Sequence, residues 1–512
     1  MSTRYKLSGP KGAASQKKVR MPFLAMALML LLTGVAIAAG LGLFYVHKDD
    51  NGLVRSATPD PTLNAYNKFF DHNLGTNGQA CVSCHLPSDG FDLHVQTILD
   101  AFKSTQGLDQ LFRTNDTADR PDADVSTLAA RLKAYRLFRE FGIVRIGKSL
   151  PPAPVNGVGF TVEPQDTPRF GPLPNLNDPQ AVGKVTLSLF RRPLVNTNVN
   201  FDSSVLWDGR ASITDMPGQV KKAATALLLA GTVSDADAQN VAAFMTGVYT
   251  DQIEDDVAGW LDALGAKGGV KNLMAIASDP KRPCVFSAPG VLTPFVPPTC
   301  TPVVMDNPRT MDIFEPWASL PDNSSRNAAR LSIARGEELF NTITLHVPPD
   351  LQIPGLTGNT AHCVTCHATN NLGNNPDATF FVRIGTDSVP ILKELADADP
   401  LIKPQLANVR QLPQYCLRPT SDPTPFTTAP CGTHLDDVRT TDPGRAMVSG
   451  LFTDVGKFKP PILRDLNVRS PYFHNGSAGS IQDLVNFYNA RFQIGLTDQQ
   501  KLDLGNFIDT AF

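Results

Sequence analysis

The chain has 512 residues, more than one hydrophobic core usually serves, so its length predicts two domains and a tail. Its 46 basic and 49 acidic residues give a net charge of −3, which excludes the strongly basic surface that nucleic-acid binding requires. The 42 prolines and 38 glycines favour long irregular connections between elements. No internal repeat of about 20 to 50 residues is present, which excludes a solenoid.

The first fifty residues have the pattern of a membrane anchor. Residues 1–20 carry several lysines and arginines and no acid, and an uncharged run follows from Pro22 to Val46. About 20 apolar residues cross a bilayer, and a basic flank stays in the cytoplasm. We therefore expect a cytoplasmic tail at 1–20, a transmembrane helix at 21–46 and a periplasmic remainder, as in a single-pass protein of the bacterial inner membrane. A cleaved signal peptide is the alternative, because Ala36-Ile37-Ala38 has the form of a cleavage site.

Two C-x-x-C-H motifs lie beyond this segment, CVSCH at 81–85 and CVTCH at 363–367. In such a motif two thiols form thioethers with the vinyl groups of heme, and the histidine binds the iron from one face. A zinc half-site or a redox dithiol is the alternative for C-x-x-C alone, but neither accounts for the histidine that follows in both motifs. The sequence therefore predicts two covalently bound hemes c. The attachment and iron-binding residues are Cys81, Cys84 and His85 for heme 1, and Cys363, Cys366 and His367 for heme 2.

Short helical patterns precede both motifs. Residues 62–70 place Leu63, Tyr66 and Phe69 on one face behind a threonine cap, and residues 331–340 repeat this arrangement. The long separation of the motifs implies one heme in each of two domains. We expect an N-terminal heme domain at 53–280, a proline-rich linker at 281–325 and a C-terminal heme domain at 326–512.

The four remaining cysteines form two close pairs in stretches rich in proline and threonine. In an oxidising compartment, close pairs of this kind form local disulfides that clamp loops. We therefore expect the disulfides Cys284–Cys300 and Cys416–Cys431. Four free structural thiols are the alternative.

The sixth ligand of heme 1 decides between electron transfer and the binding of small oxidants, because only an open iron binds peroxide. No histidine lies between His94 and His346, so a distal histidine from the same domain has to be His72 or His94. Met216 and Met245 are further candidates, although a buried methionine is more often part of a core. We favour an open or water-ligated heme 1, with these side chains as alternatives.

Four longer segments carry a family resemblance. They are FFDHNLGTNGQACVSCHLPSDGF around the first motif, LWDGRA at 206–211, ARGEELF before the second motif, and DPGRAMVSGLFTDVGKFKPPILRDLNVRSPYFHNGSAGSIQDLVNFY near the C-terminus. In order and spacing they resemble the bacterial diheme cytochrome c peroxidases and MauG, the diheme enzyme that matures a tryptophan-derived cofactor. The segment 281–325 and the loop around Cys416 and Cys431 look like additions to the family pattern.

The resemblance implies a mainly α-helical fold, in which two cytochrome c-like heme domains with long irregular loops follow the transmembrane helix. It also implies that Trp207 lies between the hemes as an electron relay, with a buried core aromatic as the alternative. Arg210 then either neutralises a heme propionate or pairs with Asp208. His474 corresponds to a histidine close to heme 2 and to the contact between the domains.

Tyr488 is the candidate for the sixth ligand of heme 2. It follows His474 by fourteen residues, where the peroxidases place an axial methionine and MauG-like proteins an axial tyrosine. Helical periodicity after the capping residue Ser480 indicates only a tyrosine on the core face, so this role comes from the resemblance. Met447 is the reserve ligand.

Two departures from the family pattern bear on activity. The peroxidases use a glutamate shortly after WDGRA to move protons while the O–O bond breaks, whereas no acid lies between Asp215 and Asp235 in this chain. We therefore expect slow peroxidase chemistry unless Gln219, a lysine or water carries the proton. The calcium that bridges the family's domains is doubtful, because Arg469 replaces the threonine of the T-x-P-Y-F-H pattern and a cation repels a divalent ion.

The function that the resemblance implies is an oxidoreductase that reduces hydrogen peroxide, or uses it to oxidise a substrate, at heme 1 and exchanges electrons through heme 2. The implied electron donor is a small periplasmic cytochrome, a cupredoxin or a quinol-linked chain. A non-catalytic diheme electron-transfer cytochrome is the alternative, and the missing glutamate favours it. A structural or sensory use of the heme scaffold has no positive sequence feature.

Overall fold

The computed structural model describes residues 44–164, 186–279, 286–288, 291–292, 309–375 and 377–511. In chain order its helices are α1 (Val95–Thr105), α2 (Leu128–Ala134), α3 (Arg136–Phe141), α4 (Met216–Leu227), α5 (Asp235–Gly247), α6 (Val270–Ser278), α7 (Ser325–Thr342), α8 (Cys363–Cys366), α9 (Val389–Ala398), α10 (Lys403–Val409), α11 (Ala446–Ser449), α12 (Ile481–Arg491) and α13 (Asp498–Ala511). Its strands are β1 (Phe44–Lys48), β2 (Gly52–Ala57), β3 (Val144–Ser149), β4 (Phe160–Pro164), β5 (Thr186–Arg191), β6 (Ser204–Val205), β7 (Ala211–Ser212), β8 (Tyr249–Asp255), β9 (Gly259–Trp260), β10 (Phe286–Ala288), β11 (Val291–Leu292), β12 (Leu345–His346), β13 (Thr360–Ala361), β14 (Tyr415–Pro419) and β15 (Val438–Thr440).

The N-terminal hairpin corrects the end of the predicted transmembrane helix. β1 pairs with β2 in antiparallel register. The turn between them closes because the Asp49 carboxylate accepts hydrogen bonds from the backbone N–H groups of Asn51 and Gly52, at 2.8 and 2.5 Å. Residues 44–46 are therefore strand, since aromatic and β-branched side chains favour a pleated surface. Residues 1–43 lie outside the described residues.

The helices of the described residues also contradict the predicted membrane localisation. The longest of them, α7, has 18 residues and carries several charged side chains along its length. Across the described ranges, no helix is both long and apolar enough to cross a membrane. On this finding the prediction of a single-pass inner-membrane protein is wrong.

Strands contribute more to the fold than the sequence indicated. Helix accounts for 38% and strand for 14% of the structure, so the mainly α assignment is wrong and the fold is mixed. One antiparallel sheet has the strand order β1-β2-β8-β9, and another has the order β15-β14-β4. The strand β5 shows why such elements were missed. Its residues, TLSLFR, are buried on both faces and therefore lack the alternation that marks a half-exposed strand.

An aromatic core lies beside the first motif, in what we call the N-terminal half (residues 53–280). Phe69 stacks on Phe244 with 4.4 Å between ring centroids. Phe91 meets both rings edge to face, at 5.8 Å from Phe69 and 5.3 Å from Phe244. Such pairs add directional preference to the burial of apolar area, so they fix the position of the segment that follows the first motif.

A second core forms around α7 and α13 in the C-terminal half (residues 326–512). Phe314 and Trp317 are fully buried there and stack at 4.6 Å. Both belong to the predicted linker 281–325, whose described part from residue 309 onward therefore packs into this core. Cys284 and Cys300, the other predicted disulfide pair, lie outside the described residues.

The two halves share secondary structure. β14, from the C-terminal half, pairs with β4 from the N-terminal half, with Leu417 opposite Val162. Residues 42–512 form one compact unit. The boundaries of two separate heme domains stay a prediction.

The loop between β14 and β15 is clamped at its base. Cys416 and Cys431 are joined by a disulfide. The fully buried Arg418 donates to the Asp437 carboxylate from Nε (2.7 Å) and Nη2 (2.8 Å), and its guanidinium lies 4.3 Å from the centre of the Phe426 ring. The disulfide is thus one part of a cross-link that shapes a proline-rich loop.

The close approach of α7 and α13 gives a stability prediction. A Cβ atom added at Gly336 would overlap the backbone carbonyl of Asp503 and lie 2.6 Å from Cβ of Phe507. We expect Gly336→Ala to lower the free energy of unfolding by about 1–3 kcal/mol, because the helices have to separate. Denaturant unfolding of the holoprotein measures this. Gly231→Ala, where a Cβ meets nothing within 4 Å, is the matched control; equal stability of the two variants would contradict the packing account.

Candidate functional site

The two C-x-x-C-H motifs fold into the same short turn. The backbone N–H of His85 donates to the carbonyl of Cys81, and that of His367 donates to the carbonyl of Cys363, both at 3.0 Å. Each turn therefore brings two thiols and one imidazole together within a single helical turn. This is the arrangement that covalent heme attachment needs.

Both motif histidines are oriented in the same way. Nδ1 of His85 bonds to the carbonyl of Phe91 at 3.2 Å, and Nδ1 of His367 bonds to the carbonyl of Gly373. In each case the acceptor lies six residues further along the chain. A carbonyl at Nδ1 fixes the tautomer that carries its proton there, which leaves Nε2 as the metal-binding atom.

A hydroxyl caps each motif, which the sequence analysis did not foresee. Ser83 Oγ accepts from the backbone N–H of Ala80 at 3.1 Å, and Thr365 Oγ1 accepts from that of His362 at 2.9 Å. The signal was present, because Ser and Thr occupy the same position of the two motifs and both residue types cap helical turns.

A cavity opens on the second motif. It contains about 1310 Å³ of atom-free space, part of which is open to solvent. Cys363, Cys366, His367 and Tyr488 line it, and most of its other lining side chains are apolar. Cofactor sites are typically concave and apolar with a few polar groups. The cavity therefore fits a large, flat, mainly apolar group such as heme.

Burial keeps the donor side chains of the second motif neutral. It raises the pKa of Cys363 and of Cys366 to about 12 and lowers the pKa of His367 to about 4. A neutral imidazole offers a lone pair to a metal, whereas a protonated one does not. The donor set and its surroundings therefore fit heme c.

The first motif has the same donor chemistry. Burial raises the pKa of Cys81 to about 12 and of Cys84 to about 11, and it lowers the pKa of His85. Cys81 packs against the aromatic core of Phe69, whereas Cys84 packs against a separate cluster around α1. The motif thus lies where two apolar clusters of the N-terminal half meet.

Tyr488 and Met447, the two predicted candidates for the sixth ligand of heme 2, occupy different places. Tyr488 lines the cavity, its ring lies nearly parallel to that of Phe492 at 5.8 Å, and burial raises its pKa. Met447 packs in another cluster with Tyr415 and Leu417 and does not line the cavity. The structure therefore brings Tyr488, and not Met447, to the second motif.

Trp207 and His474 share one wall of the same cavity. Their rings meet edge to face at 6.3 Å. His474 is 2% exposed and stacks on Phe458 at 3.9 Å, and its Nε2 has no hydrogen-bond partner among the described residues. Burial lowers the pKa of His474 to about 3. Trp207, the neutral His474 ring and Phe458 thus form a continuous aromatic group beside the second motif.

Arg210 belongs to a buried ion cluster. It donates to Asp208 from Nη1 at 2.8 Å, and Arg191 donates to the same oxygen at 2.7 Å. Arg191 also donates two hydrogen bonds to the Asp442 carboxylate, from Nε at 2.6 Å and from Nη2 at 2.9 Å. Burial opposes the charge on Arg191, but the two carboxylates outweigh it and raise its pKa. The structure therefore pairs Arg210 with Asp208, and the contact with a heme propionate stays a prediction.

The histidines proposed as distal ligands of heme 1 have other contacts. His72 is exposed, and its Nδ1 bonds to the carbonyl of Gly78 at 3.0 Å. His94 bonds through Nε2 to Ser470 Oγ of the C-terminal half at 3.0 Å. Met216 is 2% exposed in the aromatic core, and Met245 packs against that core, so both methionines have core positions.

The proton carriers suggested in place of the missing glutamate lie on α4. Gln219 is half-buried there, whereas Lys222 is exposed. Lys221 forms an ion pair with Asp235 at the start of α5. Gln219 is thus uncharged and partly buried, whereas one lysine is exposed and the other is held in an ion pair.

The residues at the expected calcium position do not fit a divalent cation. The main-chain carbonyl of Arg469, which the family pattern offers to calcium, accepts a hydrogen bond from Nη2 of Arg192 at 3.3 Å. The Arg469 guanidinium is itself buried and donates to the carbonyls of Ile462 and Arg464. The Arg192 guanidinium therefore already occupies the Arg469 carbonyl, and a divalent cation would have to displace it.

Arg191, Arg192 and Phe458 contribute to the site although the sequence analysis did not select them. A sequence signal was available for the arginines, because two adjacent arginines directly follow the apolar run TLSLF. The structure buries both of them. Buried cations require partners, so such a pair indicates a network. Phe458 has no such signal, since its stacking on His474 depends on tertiary contacts.

Comparison with known proteins gives a partial similarity. No known family profile matches the chain. Over 67 residues the chain is 36% identical to a protein named cytochrome-c peroxidase IdrP1 from Denitromonas iodatirespirans and 39% identical to one of the same name from Pseudomonas sp. (strain SCT). The match covers 11% of this chain and 18% of each relative. It supports a cytochrome c peroxidase-like protein and no finer assignment.

Heme content gives a direct test of the two motif turns. We expect two hemes c per chain by pyridine hemochrome assay, and one in each of the variants Cys81→Ala/Cys84→Ala and Cys363→Ala/Cys366→Ala, because each loses its thioether links. Heme staining after denaturing electrophoresis checks the covalent attachment. A chain that binds zinc at either motif and retains no heme would contradict the assignment.

Tyr488→Phe tests the ligand candidate that lines the cavity. We expect it to change the optical and low-temperature EPR signals of one heme and leave those of the other unchanged, because the variant lacks an oxygen ligand. Met447→Leu is expected to change neither. Tyr415→Phe, which removes the hydroxyl of a buried tyrosine outside the cavity, is the matched control. A spectral change in Met447→Leu alone would reverse the ligand assignment.

Proposed function

We propose that the chain is a heme oxidoreductase of the cytochrome c peroxidase type that reduces hydrogen peroxide. The observation that carries this proposal is the cavity in which one attachment motif, Tyr488 and the Trp207–His474 pair meet. The partial similarity to two cytochrome-c peroxidases supports it. In the net reaction, hydrogen peroxide takes up two electrons and two protons and yields two molecules of water. The electrons come from an external donor, such as a small cytochrome or a cupredoxin, or from an oxidisable substrate.

Two hemes c are the cofactors of this proposal. Heme supplies an iron that exchanges single electrons and, where one face is open, binds small oxidants. The thiols anchor each heme, and the carbonyl at Nδ1 of each motif histidine aims Nε2 at the iron position. The proposed anchoring and binding residues are Cys81, Cys84 and His85 at the first site, and Cys363, Cys366, His367 and Tyr488 at the second.

Protein contacts fix the side chains of the aromatic group around the second site. Trp207 donates its indole N–H to a main-chain carbonyl at 2.9 Å, and His474 is held between the Trp207 and Phe458 rings. A rigid aromatic group at the cavity wall suits a relay, because it presents a fixed path for electrons. Arg210 is neutralised by Asp208, so in this proposal its part is to fix the chain beside Trp207.

Proton delivery is the weak point of catalysis in this chain. The glutamate that follows WDGRA in the peroxidases is missing, and the Gln219 amide on α4 is not ionisable at neutral pH, so it cannot act as a general acid or base. We therefore expect slow turnover that relies on water. The same observation favours a second candidate function, an electron-transfer cytochrome without catalysis.

A peroxide titration of the holoprotein separates the two functions. We expect one ferric heme to show a high-spin EPR signal that disappears on addition of hydrogen peroxide, and a reduced small cytochrome to be oxidised in proportion to the peroxide added. Two low-spin signals that peroxide leaves unchanged, both before and after partial reduction, would exclude the peroxidase and leave the electron-transfer cytochrome.

A further inference from the structure

Arg192 is a buried cation held by main-chain carbonyls. It is 4% exposed. Its guanidinium donates from Nη1 to the carbonyl of Gly142 at 2.8 Å, and from Nη2 to the carbonyls of Leu93 at 2.8 Å and Arg469 at 3.3 Å. Among the described residues, no carboxylate lies within ion-pair distance of it. Carbonyl dipoles therefore provide its direct contacts, and the carboxylates of Asp92 and Asp89 add a longer-range attraction.

These three carbonyls come from separate parts of the chain. Leu93 follows the first motif, Gly142 ends α3, and Arg469 lies in the C-terminal half. Gly142 has φ +59°, and a Cβ at this position would overlap Nη1 of Arg192. The glycine thus allows the backbone to approach the guanidinium closely. A cation ringed by carbonyls from both halves is an arrangement that elsewhere serves metal ions.

The peptide groups of Arg192 reach the proposed relay. Its carbonyl accepts the indole N–H of Trp207 at 2.9 Å. Its backbone N–H donates to the carbonyl of His474 at 2.6 Å. Arg192 therefore contacts the indole of Trp207 and the backbone of His474, the two residues whose rings line the wall of the second-motif cavity. Its side chain binds the carbonyl of Leu93, two residues beyond Phe91, the partner of His85.

We propose that Arg192 is the positioning residue of the inter-heme relay and that its guanidinium takes the structural place of a bridging calcium ion. The guanidinium links the two halves through three carbonyls. Because the peptide groups of the same residue bond to Trp207 and His474, this link also fixes the separation of these two residues. The inference rests on the proposed function only in treating Trp207 as a relay. The cross-link itself involves protein atoms alone.

The first consequence concerns calcium. We expect isothermal titration calorimetry of the holoprotein to show no specific calcium binding, and EDTA to leave its thermal midpoint unchanged. Calcium binding at one site per chain, with a loss of inter-heme electron exchange on chelation, would overturn the proposal.

The second consequence concerns electron exchange between the hemes, which a one-electron pulse measures without peroxide. We expect Arg192→Ala to slow the equilibration by roughly tenfold or more, because a shift of about 1 Å in a reacting group can change a rate by up to a hundredfold. Guanidinium chloride at low millimolar concentration is expected to restore much of the rate. Arg192→Lys, which keeps the charge but cannot reach three carbonyls at once, is expected to give an intermediate rate.

Arg131 offers a matched control. It is 9% exposed and also donates to three carbonyls, those of Gln106, Val125 and Ser126, all in the N-terminal half. We expect Arg131→Ala to lower the thermal midpoint as Arg192→Ala does, but to leave electron equilibration unchanged and insensitive to guanidinium. Equally slowed electron equilibration in both variants, or unchanged equilibration in both, would show that Arg192 has only a structural role.

If the holoprotein does not reduce peroxide but electron equilibration shows the expected differences between the variants, only the proposed function is rejected.

Discussion

The contact between the two halves depends on two adjacent buried arginines at the end of β5. Arg191 is compensated by the carboxylates of Asp208 and Asp442, and Arg192 by main-chain carbonyls. Removing one partner of a buried ion pair costs about 3–5 kcal/mol, because the other charge stays buried without compensation. Arg191 therefore cannot leave its carboxylates without a large loss of stability, and Arg192 would leave a buried charge without the carbonyls that bind it. Because Asp442 and Arg469 belong to the C-terminal half, this cost holds the two halves in one relative position.

The part of the candidate site that can be predicted from sequence is the part whose structure is local. A C-x-x-C-H motif folds into one turn whatever surrounds it, and both copies do so here with the same carbonyl at Nδ1. Other features could not be predicted, because they depend on contacts between residues that are distant in sequence. The strand β5 carries no alternation because both of its faces are buried. Trp317 was assigned to a linker because prolines surround it in sequence, yet it is fully buried in a core that α7 and α13 complete. Residues 44–46 continued an apolar run in sequence, but the Asp49 turn and pairing with β2 make them strand.

The cavity beside the second motif has few polar groups, so each of them strongly affects the electrostatics of the cavity. In a low-dielectric site an electrostatic interaction is stronger than in water. Nε2 of His474 has no hydrogen-bond partner within the described part of the chain, and burial keeps the ring neutral. Tyr488 is likewise neutral, because burial raises its pKa. The walls therefore contribute mainly shape and aromatic surface, and the charged lining side chain Lys459 is paired with Asp202 at 2.8 Å.

A guanidinium and a calcium ion give a linked pair of domains different properties. A bound ion dissociates, so the contact that it bridges depends on the ion concentration around the protein. An arginine is covalently part of the chain and keeps its charge at all physiological pH values. Arg192 also joins the cross-link to the peptide groups that hold Trp207 and His474, which a free ion cannot do. On the proposal made for Arg192, the Trp207–His474 relay would stay assembled at any calcium concentration. Regulation of electron exchange would then act at the proposed iron ligands or through the proposed donor, rather than at the contact between the two halves.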